Sequence, residues 1–303
     1  TAMGFISTLG ADMPPTSYAD IEEADLFFIA GNNMAVSVPV LFRRICSARQ
    51  KNAAKIIVVD PRRTETASIA DIHLQIRPGT DVALNNAIAH ILLKEDLINK
   101  EFIEHYTSGF SDLKEVVEKY PPSHVAQITG CPEKLIYEAA RIIGKAKAML
   151  TFWFQGYNQS PQAVFKNNTL HNLSLLTGNF CRPGAGPLSI TGEANTMGCR
   201  WVGALSHLLP GMRMVANPGH RQEVAEFWNI PVERIQPTPG RSIIDIIHGL
   251  HSGEVRALWV MSSNPAASLP HTRWVEEGLS KAELLVVQDI FHPTETTRHQ
   301  RCA

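Results

Sequence analysis

Two loops in this sequence place small and amide residues ahead of an aspartate in the same order. In the first, the apolar run at residues 24–30 (Ala-Asp-Leu-Phe-Phe-Ile-Ala) gives way to Gly31-Asn32-Asn33. The next run, Ile56-Ile57-Val58-Val59, ends in Asp60 and is followed by Thr64-Glu65-Thr66. In the second, residues 256–261 (Arg-Ala-Leu-Trp-Val-Met) give way to Ser263-Asn264-Pro265. There Leu285-Val286-Val287-Gln288 ends in Asp289, with Thr294-Glu295-Thr296 after it. Loop and acid are 29 residues apart in the first copy (Gly31 to Asp60) and 25 in the second (Asn264 to Asp289).

This pattern suits a nucleotide. A Gly or Asn loop after a strand lets backbone approach a phosphate or sugar at a helix N-terminus. An acid ending the next strand lies one strand away, where it accepts hydrogen bonds from a ribose or from adjacent N–H donors such as those of guanine. The spacing predicts two nucleotide-binding half-sites. The same spacing also fits βαβ units that merely repeat their grammar, with each Asp capping the next turn. A G-x-G-x-x-G fingerprint is absent, which disfavours an ordinary nicotinamide site.

Other reactive side chains are less organised. The five cysteines form no C-x-x-C and have no His at zinc-finger spacing, so the sequence predicts buried thiols in a reducing, cytoplasmic setting and no metal ligands. His248 and His251 share a predicted helix but lack a third ligand at motif spacing. His292 and His299 fall near Asp289 and fit a solvated loop. Trp153 and Phe154 fit a strand core better than a stacking platform. Ser160, Ser189 and Ser206 stand outside any G-x-S-x-G elbow.

The elements that would carry the loops follow from pattern. Residues 55–60 are a continuous β-branched run of the kind found in buried parallel strands. Pro39 opens a helix to about residue 50, residues 72–76 form another strand, and Gly79-Thr80-Asp81 turns into a helix through Leu84, Ile88 and Leu92. Residues 96–148 are mostly helical, with Ser111 as a cap. Residues 148–154 form a strand, a helix runs to about residue 176, and residues 177–218 are irregular. This order predicts an α/β fold of two Rossmann-like parallel-sheet domains, residues 1–149 and 150–303.

Composition closes off other classes. The 303 residues are 44% hydrophobic and 19% charged, which supports a large core. Lys plus Arg number 28 against 29 Asp plus Glu, so no basic surface for nucleic acid is expected. No apolar stretch is long enough for a membrane span.

Several stretches resemble the molybdopterin oxidoreductases, which hold molybdenum between two pterin guanine dinucleotides. They are Gly31-Asn32-Asn33-Met34-Ala35, Val59-Asp60-Pro61-Arg62-Arg63-Thr64-Glu65-Thr66-Ala67, Gly79-Thr80-Asp81, Thr191-Gly192, Met197-Gly198-Cys199-Arg200 and Val287-Gln288-Asp289. Within that superfamily, Leu208-Leu209-Pro210-Gly211 and residues 257–265 look most like assimilatory nitrate reductases.

The resemblance implies a molybdenum bis(molybdopterin guanine dinucleotide) cofactor. Residues 30–37, with Gly31, Asn32, Asn33 and Met34, would pack on one dinucleotide. Asp60, Pro61, Arg62, Arg63 and Thr64 would meet its guanosine end, with Gly79, Thr80 and Asp81 adding polar contacts. Gln155 and Gln159 would approach the pterin. Asn264, Gln288 and Asp289 would serve the second dinucleotide, and Arg200 would face a small anionic substrate near the metal. A guanidinium suits nitrate because it offers forked donors and keeps its charge.

The implied reaction is reduction of nitrate to nitrite, fed by an electron-donor protein or domain. A formate dehydrogenase of the same superfamily and a non-catalytic nucleotide-binding module are the alternatives. In the family, a 4Fe–4S domain and the molybdenum-ligating Cys lie upstream of the match to Thr1. A further pterin-binding domain lies downstream, where this chain reads Gln300-Arg301-Cys302-Ala303. The sequence is therefore expected to be a central fragment, without its N- and C-terminal domains and inactive alone.

Overall fold

A computed structural model describes residues 1–190, 192 and 195–300; Thr191 and Cys302 lie outside them. The chain divides into two compact units, Thr1–Ala194 and Asn195–Ala303.

The first unit is built on five parallel strands: β1 (Leu26–Ala30), β2 (Lys55–Val59), β3 (Ile72–Leu74), β4 (Met149–Trp153) and β5 (Gly186–Ser189). Their order is β3-β2-β1-β4-β5. All five residues of β1 and of β4 are buried, which is why β1 is a continuous apolar run and β4 is interrupted only by Thr151. Phe28, Ala30, Ile57 and Val59 face one core cluster with Leu84, Ile88, Ile136 and Leu170 from helices Asp81–Lys94, Glu133–Lys145 and Ala163–Leu176. Phe27, Ile29, Ile56 and Val58 face another with Ile45 of helix Pro39–Asn52. Helices on both faces make this a doubly wound α/β sheet.

Three sequence expectations differ here. The boundary near residue 150 falls inside this sheet, because β4 pairs along its full length with β1 (Leu26↔Met149 to Ala30↔Trp153). The compact units divide after Ala194 instead. The irregular stretch 177–218 contains β5, whose Gly-Pro-Leu-Ser sequence has little strand character. Pro187 is tolerated because β5 is an edge strand, paired only with β4. The cap expected at Ser111 is instead Gly109, in the left-handed region at φ 75°.

The second unit holds a short antiparallel pair, β6 (Leu208–Leu209) and β7 (Arg213–Met214). It also holds a parallel pair, β8 (Ala257–Met261) and β9 (Leu284–Gln288). Helices Ile243–Ser252 and Thr272–Ser280 pack on β8 and β9 through Ile247, Leu250, Val275 and Leu279. No helix among the described residues is long and apolar enough to cross a membrane.

Candidate functional site

The strand order of the first unit reverses between β1 and β4. A crevice outside the carboxyl ends of parallel strands at such a switch point is where open α/β sheets bind ligands. The loops leaving β1 and β4 meet there backbone to backbone. Gly31 adopts φ 56° and continues the sheet by donating its N–H to the Val59 carbonyl at 2.9 Å. Gly156, unflagged in the sequence reading, donates to the Gly31 carbonyl at 3.1 Å.

Asn32 is 2% exposed. Its Oδ1 accepts from Ser37 Oγ at 3.0 Å, while its Nδ2 is buried with no hydrogen-bond partner among the described residues. An orphaned donor of this kind is costly unless a ligand satisfies it. Asn33 is turned to another purpose. Its Oδ1 accepts from Thr66 N at 3.3 Å and Thr66 Oγ1 at 2.9 Å, and its Nδ2 donates to Glu65 Oε2 at 2.8 Å. That bond holds the Glu65 carboxyl below its ordinary range. The Met34 side chain is fully buried in the core. Its single turn Met34–Ser37 ends at Val38, because Pro39 disfavours helical geometry in the residue before it.

Asp60 is 8% exposed and its Oδ1 accepts from Arg62 N at 2.8 Å, the chain-turning role that its position also allowed. Pro61, Arg62 and Arg63 are exposed. Thr64 caps helix Glu65–Ser68 by accepting from Ala67 N at 3.2 Å. Gly79 adopts φ 86°, and Thr80 Oγ1 donates to the Arg77 carbonyl at 2.7 Å. Asp81 is committed to a partner that residue spacing does not reveal. Its Oδ2 lies 2.6 Å from Lys166 Nζ, with side chains only 10% and 4% exposed. Lys166 also donates to the Gly156 carbonyl at 3.3 Å and sits over the Tyr157 ring. Burial, with the Asp81 charge nearby, pushes the Tyr157 phenol well above its ordinary range. Gln155 is half-buried and Gln159 exposed, at either end of the turn beside Gly156.

The second unit repeats this loop. Ser262 adopts φ 50° and donates its N–H to the Gln288 carbonyl at 2.9 Å, matching Gly31. The structural match to Gly31-Asn32-Asn33 is thus Ser262-Ser263-Asn264, one residue earlier than the sequence pairing. Asn264 Oδ1 accepts from Thr296 N at 3.1 Å and Thr296 Oγ1 at 2.6 Å, and its Nδ2 donates to Glu295 Oε2 at 2.7 Å. Asp289 Oδ1 accepts from Phe291 N at 3.0 Å, as Asp60 does from Arg62. Gln288 is exposed. Arg200 is half-buried in helix Thr196–Trp201 of this unit.

Among the other reactive residues, Cys131 is buried and its thiol is pushed up to about 11 by burial, but Cys46 is half-buried and Cys181 and Cys199 are exposed, against the expectation of buried thiols. His248 and His251 both pack on Trp274, with ring centroids 4.7 and 5.2 Å away. Trp153 lies in the core and donates to Asn167 Oδ1 at 2.7 Å.

The chain is similar to several known proteins. The chain is 43% identical over 293 residues to a nitrate reductase of Synechocystis, covering 96% of this chain and 41% of that protein. It is 41% identical over 295 residues to a periplasmic nitrate reductase of Desulfovibrio desulfuricans, covering 94% and 39%. A Methanococcus maripaludis F420-dependent formate dehydrogenase alpha subunit is 39% identical over 299 residues, covering 98% and 43%. The chain thus spans about two fifths of the length of these relatives. In fold it resembles acetylene hydratase from Pelobacter acetylenicus, with a TM-score of 0.72 at 24% identity over 95% of this chain and 41% of that one. The molybdopterin oxidoreductase family model matches residues 8–299, and the chain belongs to that family.

Proposed function

We propose that this chain is the cofactor-binding centre of a molybdenum-dependent nitrate reductase, holding the two guanosine tails of a bis(molybdopterin guanine dinucleotide) on its two repeated loops. The observation that carries this reading is the repeat itself. One loop, brace and terminal Asp occur twice, once per unit, in a chain that is 43% identical to a nitrate reductase. The residues fit such a group. Asn32 has an unpaired buried donor, and the glycine pair at the switch point leaves no room for side chains of its own.

In this reading Asn32, Asp60 and residues 61–64 hold one dinucleotide, with Gly79, Thr80 and the Asp81 turn beside them and Gln155 and Gln159 toward the pterin. Asn264, Gln288 and Asp289 serve the other through the loop they shape. When bound, the cofactor supplies two-electron, oxygen-transfer chemistry. Nitrate takes up two electrons and two protons and leaves as nitrite and water. Arg200 orients the planar anion through its forked donors and retains its positive charge throughout. Electrons come from a donor protein or domain, through an iron–sulfur cluster outside these residues. The assimilatory role and the cytoplasmic location belong to the same proposal.

A formate dehydrogenase is the second reading, supported by the 39% identity to the Methanococcus subunit. Formate is also a small planar anion, so Arg200 serves it equally. The deciding experiment uses the complete holoenzyme. Two guanines per molybdenum, with nitrite formed from nitrate and a reduced dye, support the first reading. Formate-dependent dye reduction without nitrate turnover supports the second. Absence of both molybdenum and guanine leaves a non-catalytic module.

A further inference from the structure

The two loops differ in most of their residues yet keep one hydrogen-bond network. Gly31, Asn32, Met34 and Val59 are replaced by Ser262, Ser263, Pro265 and Gln288 at the matching positions. Within that network Asn33 or Asn264, Glu65 or Glu295, Thr66 or Thr296, and Ala35 or Ala266 are the same residue in both copies.

In each copy the Thr backbone N–H and hydroxyl both donate to the Asn Oδ1. The same Thr Oγ1 accepts from the loop, from Ala35 N at 3.0 Å in the first unit and Ala266 N at 3.1 Å in the second. The Glu takes an Asn amide hydrogen. These bonds fill both lone pairs of the Asn carbonyl, so neither Asn33 nor Asn264 offers its carbonyl oxygen to a ligand. Thr66 and Thr296 are both fully buried. Each ties the loop after one strand to the segment beyond the next, across the edge where the terminal Asp sits.

We propose that Thr66 and Thr296 are positioning residues that preform the two half-site loops before the cofactor arrives, each governing its own dinucleotide. The physical basis is preorganisation. A loop already fixed in its bound shape loses no further conformational freedom on binding. The fixing has work to do, since Ser262 holds a left-handed φ that a residue with a Cβ disfavours. This inference rests on the bis-guanine-dinucleotide reading above and assigns to it two fully buried residues that act through the loops they brace.

The test uses Thr66→Val, Thr66→Ser, Thr296→Val and Thr296→Ser in the complete protein. Valine preserves shape and removes the hydroxyl; serine restores it. Two quantities are read: amide hydrogen exchange of the two loops in cofactor-free protein, and guanine retained per chain after prolonged dialysis of the holoenzyme. Each Val variant should raise exchange in its own loop by roughly ten-fold or more and leave the other loop as in wild type. Each should also release one of the two guanines roughly ten-fold faster. Each Ser variant should restore both readings.

The proposal is overturned if the Val variants exchange and retain guanine as wild type does, or if Ser fails as badly as Val. Should a Val variant not fold, Glu65→Ala and Glu295→Ala at exposed positions weaken the same braces, and unchanged exchange there overturns it equally. Wild-type protein with no guanine at all refutes the parent reading, whereas two guanines held by every variant refute the brace alone.

Discussion

Gly31 and Gly156 stand back to back where the sheet reverses direction. A Cβ on Gly156 would lie 2.7 Å from Gly31 Cα, and one on Gly31 would lie 2.9 Å from Gly156 Cα. Both obstacles are backbone, so neither can swing aside. The contact brings the loop after β1 and the turn after β4 to a separation that only hydrogen atoms fit. A dinucleotide held at this end of the sheet would lie across that seam.

Gly156→Ala should therefore push the two loops apart. Overpacking of this kind typically costs about 1–3 kcal/mol, and for a protein this large about 2–4 °C of Tm per kcal/mol. Urea unfolding should show a lower midpoint with an unchanged slope. Guanine content of the complete protein should fall along with it. Wild-type stability and full guanine in Gly156→Ala would contradict the close approach.

Much of this arrangement was legible in the sequence, for reasons that particular residues make plain. The runs ending at Ala30 and Val59 were readable as strands because burial on both faces forces them to be continuously apolar. Asp60 and Asp289 were readable because a polar residue ending such a run must turn the chain. The boundary was not readable, because nothing local says that β4 pairs beside β1. The strand at Gly186–Ser189 was hidden because edge position, not composition, makes it a strand. The Asn33–Thr66 brace left a trace in the repeated Thr-Glu-Thr, but only the fold shows that Asn33 spends its amide there. Lys166 and Asp81 come from two different helices, and spacing cannot pair them.

The Lys166–Asp81 pair makes a sharper forecast. Lys166→Met removes the cation and leaves a carboxylate almost fully buried. Breaking one side of a buried pair typically costs about 3–5 kcal/mol. Replacing both members, Lys166→Met with Asp81→Asn, removes the stranded charge and should recover more than half of the loss. Denaturant titration of the two single variants and the double variant gives the coupling. Additive losses would mean that the ion pair is not a unit.

Asn32 should separate stability from binding. Its Ser37 bond contributes about 1 kcal/mol, as neutral hydrogen bonds do, but its orphaned Nδ2 opposes folding until something accepts from it. Asn32→Ala should therefore change the unfolding midpoint of cofactor-free protein only slightly. Retention of guanine by the holoenzyme should fall about ten-fold, the equivalent of about 1.4 kcal/mol. If binding is unchanged while stability drops by several kcal/mol, Asn32 belongs to the core and not to the site.

His171 sets an acid limit on the first unit. It lies in helix Ala163–Leu176, stacked 4.9 Å from the Phe5 ring and edge-on to Trp153 at 5.4 Å. Neither ring nitrogen has a hydrogen-bond partner among the described residues, and burial pushes its pKa down to about 3. In the unfolded chain the imidazole titrates near its ordinary value of about 6.5. Between those two values the unfolded state binds the extra proton, so stability rises with pH across that window. The contribution is whole above about pH 6.5 and declines as pH falls toward 3, by on the order of 2 kcal/mol at pH 5. The Glu22 and Glu95 carboxyls, held low by Arg44 and Arg141, act in a different window, losing stability only as pH drops below the ordinary glutamate value of 4.5. The difference between His171→Leu and wild type from pH 7 to pH 5 therefore reports this imidazole. His171→Leu, close in volume and uncharged, should flatten that slope relative to wild type. An equal slope in both proteins would mean that His171 takes up its proton without cost and is not sealed in the core.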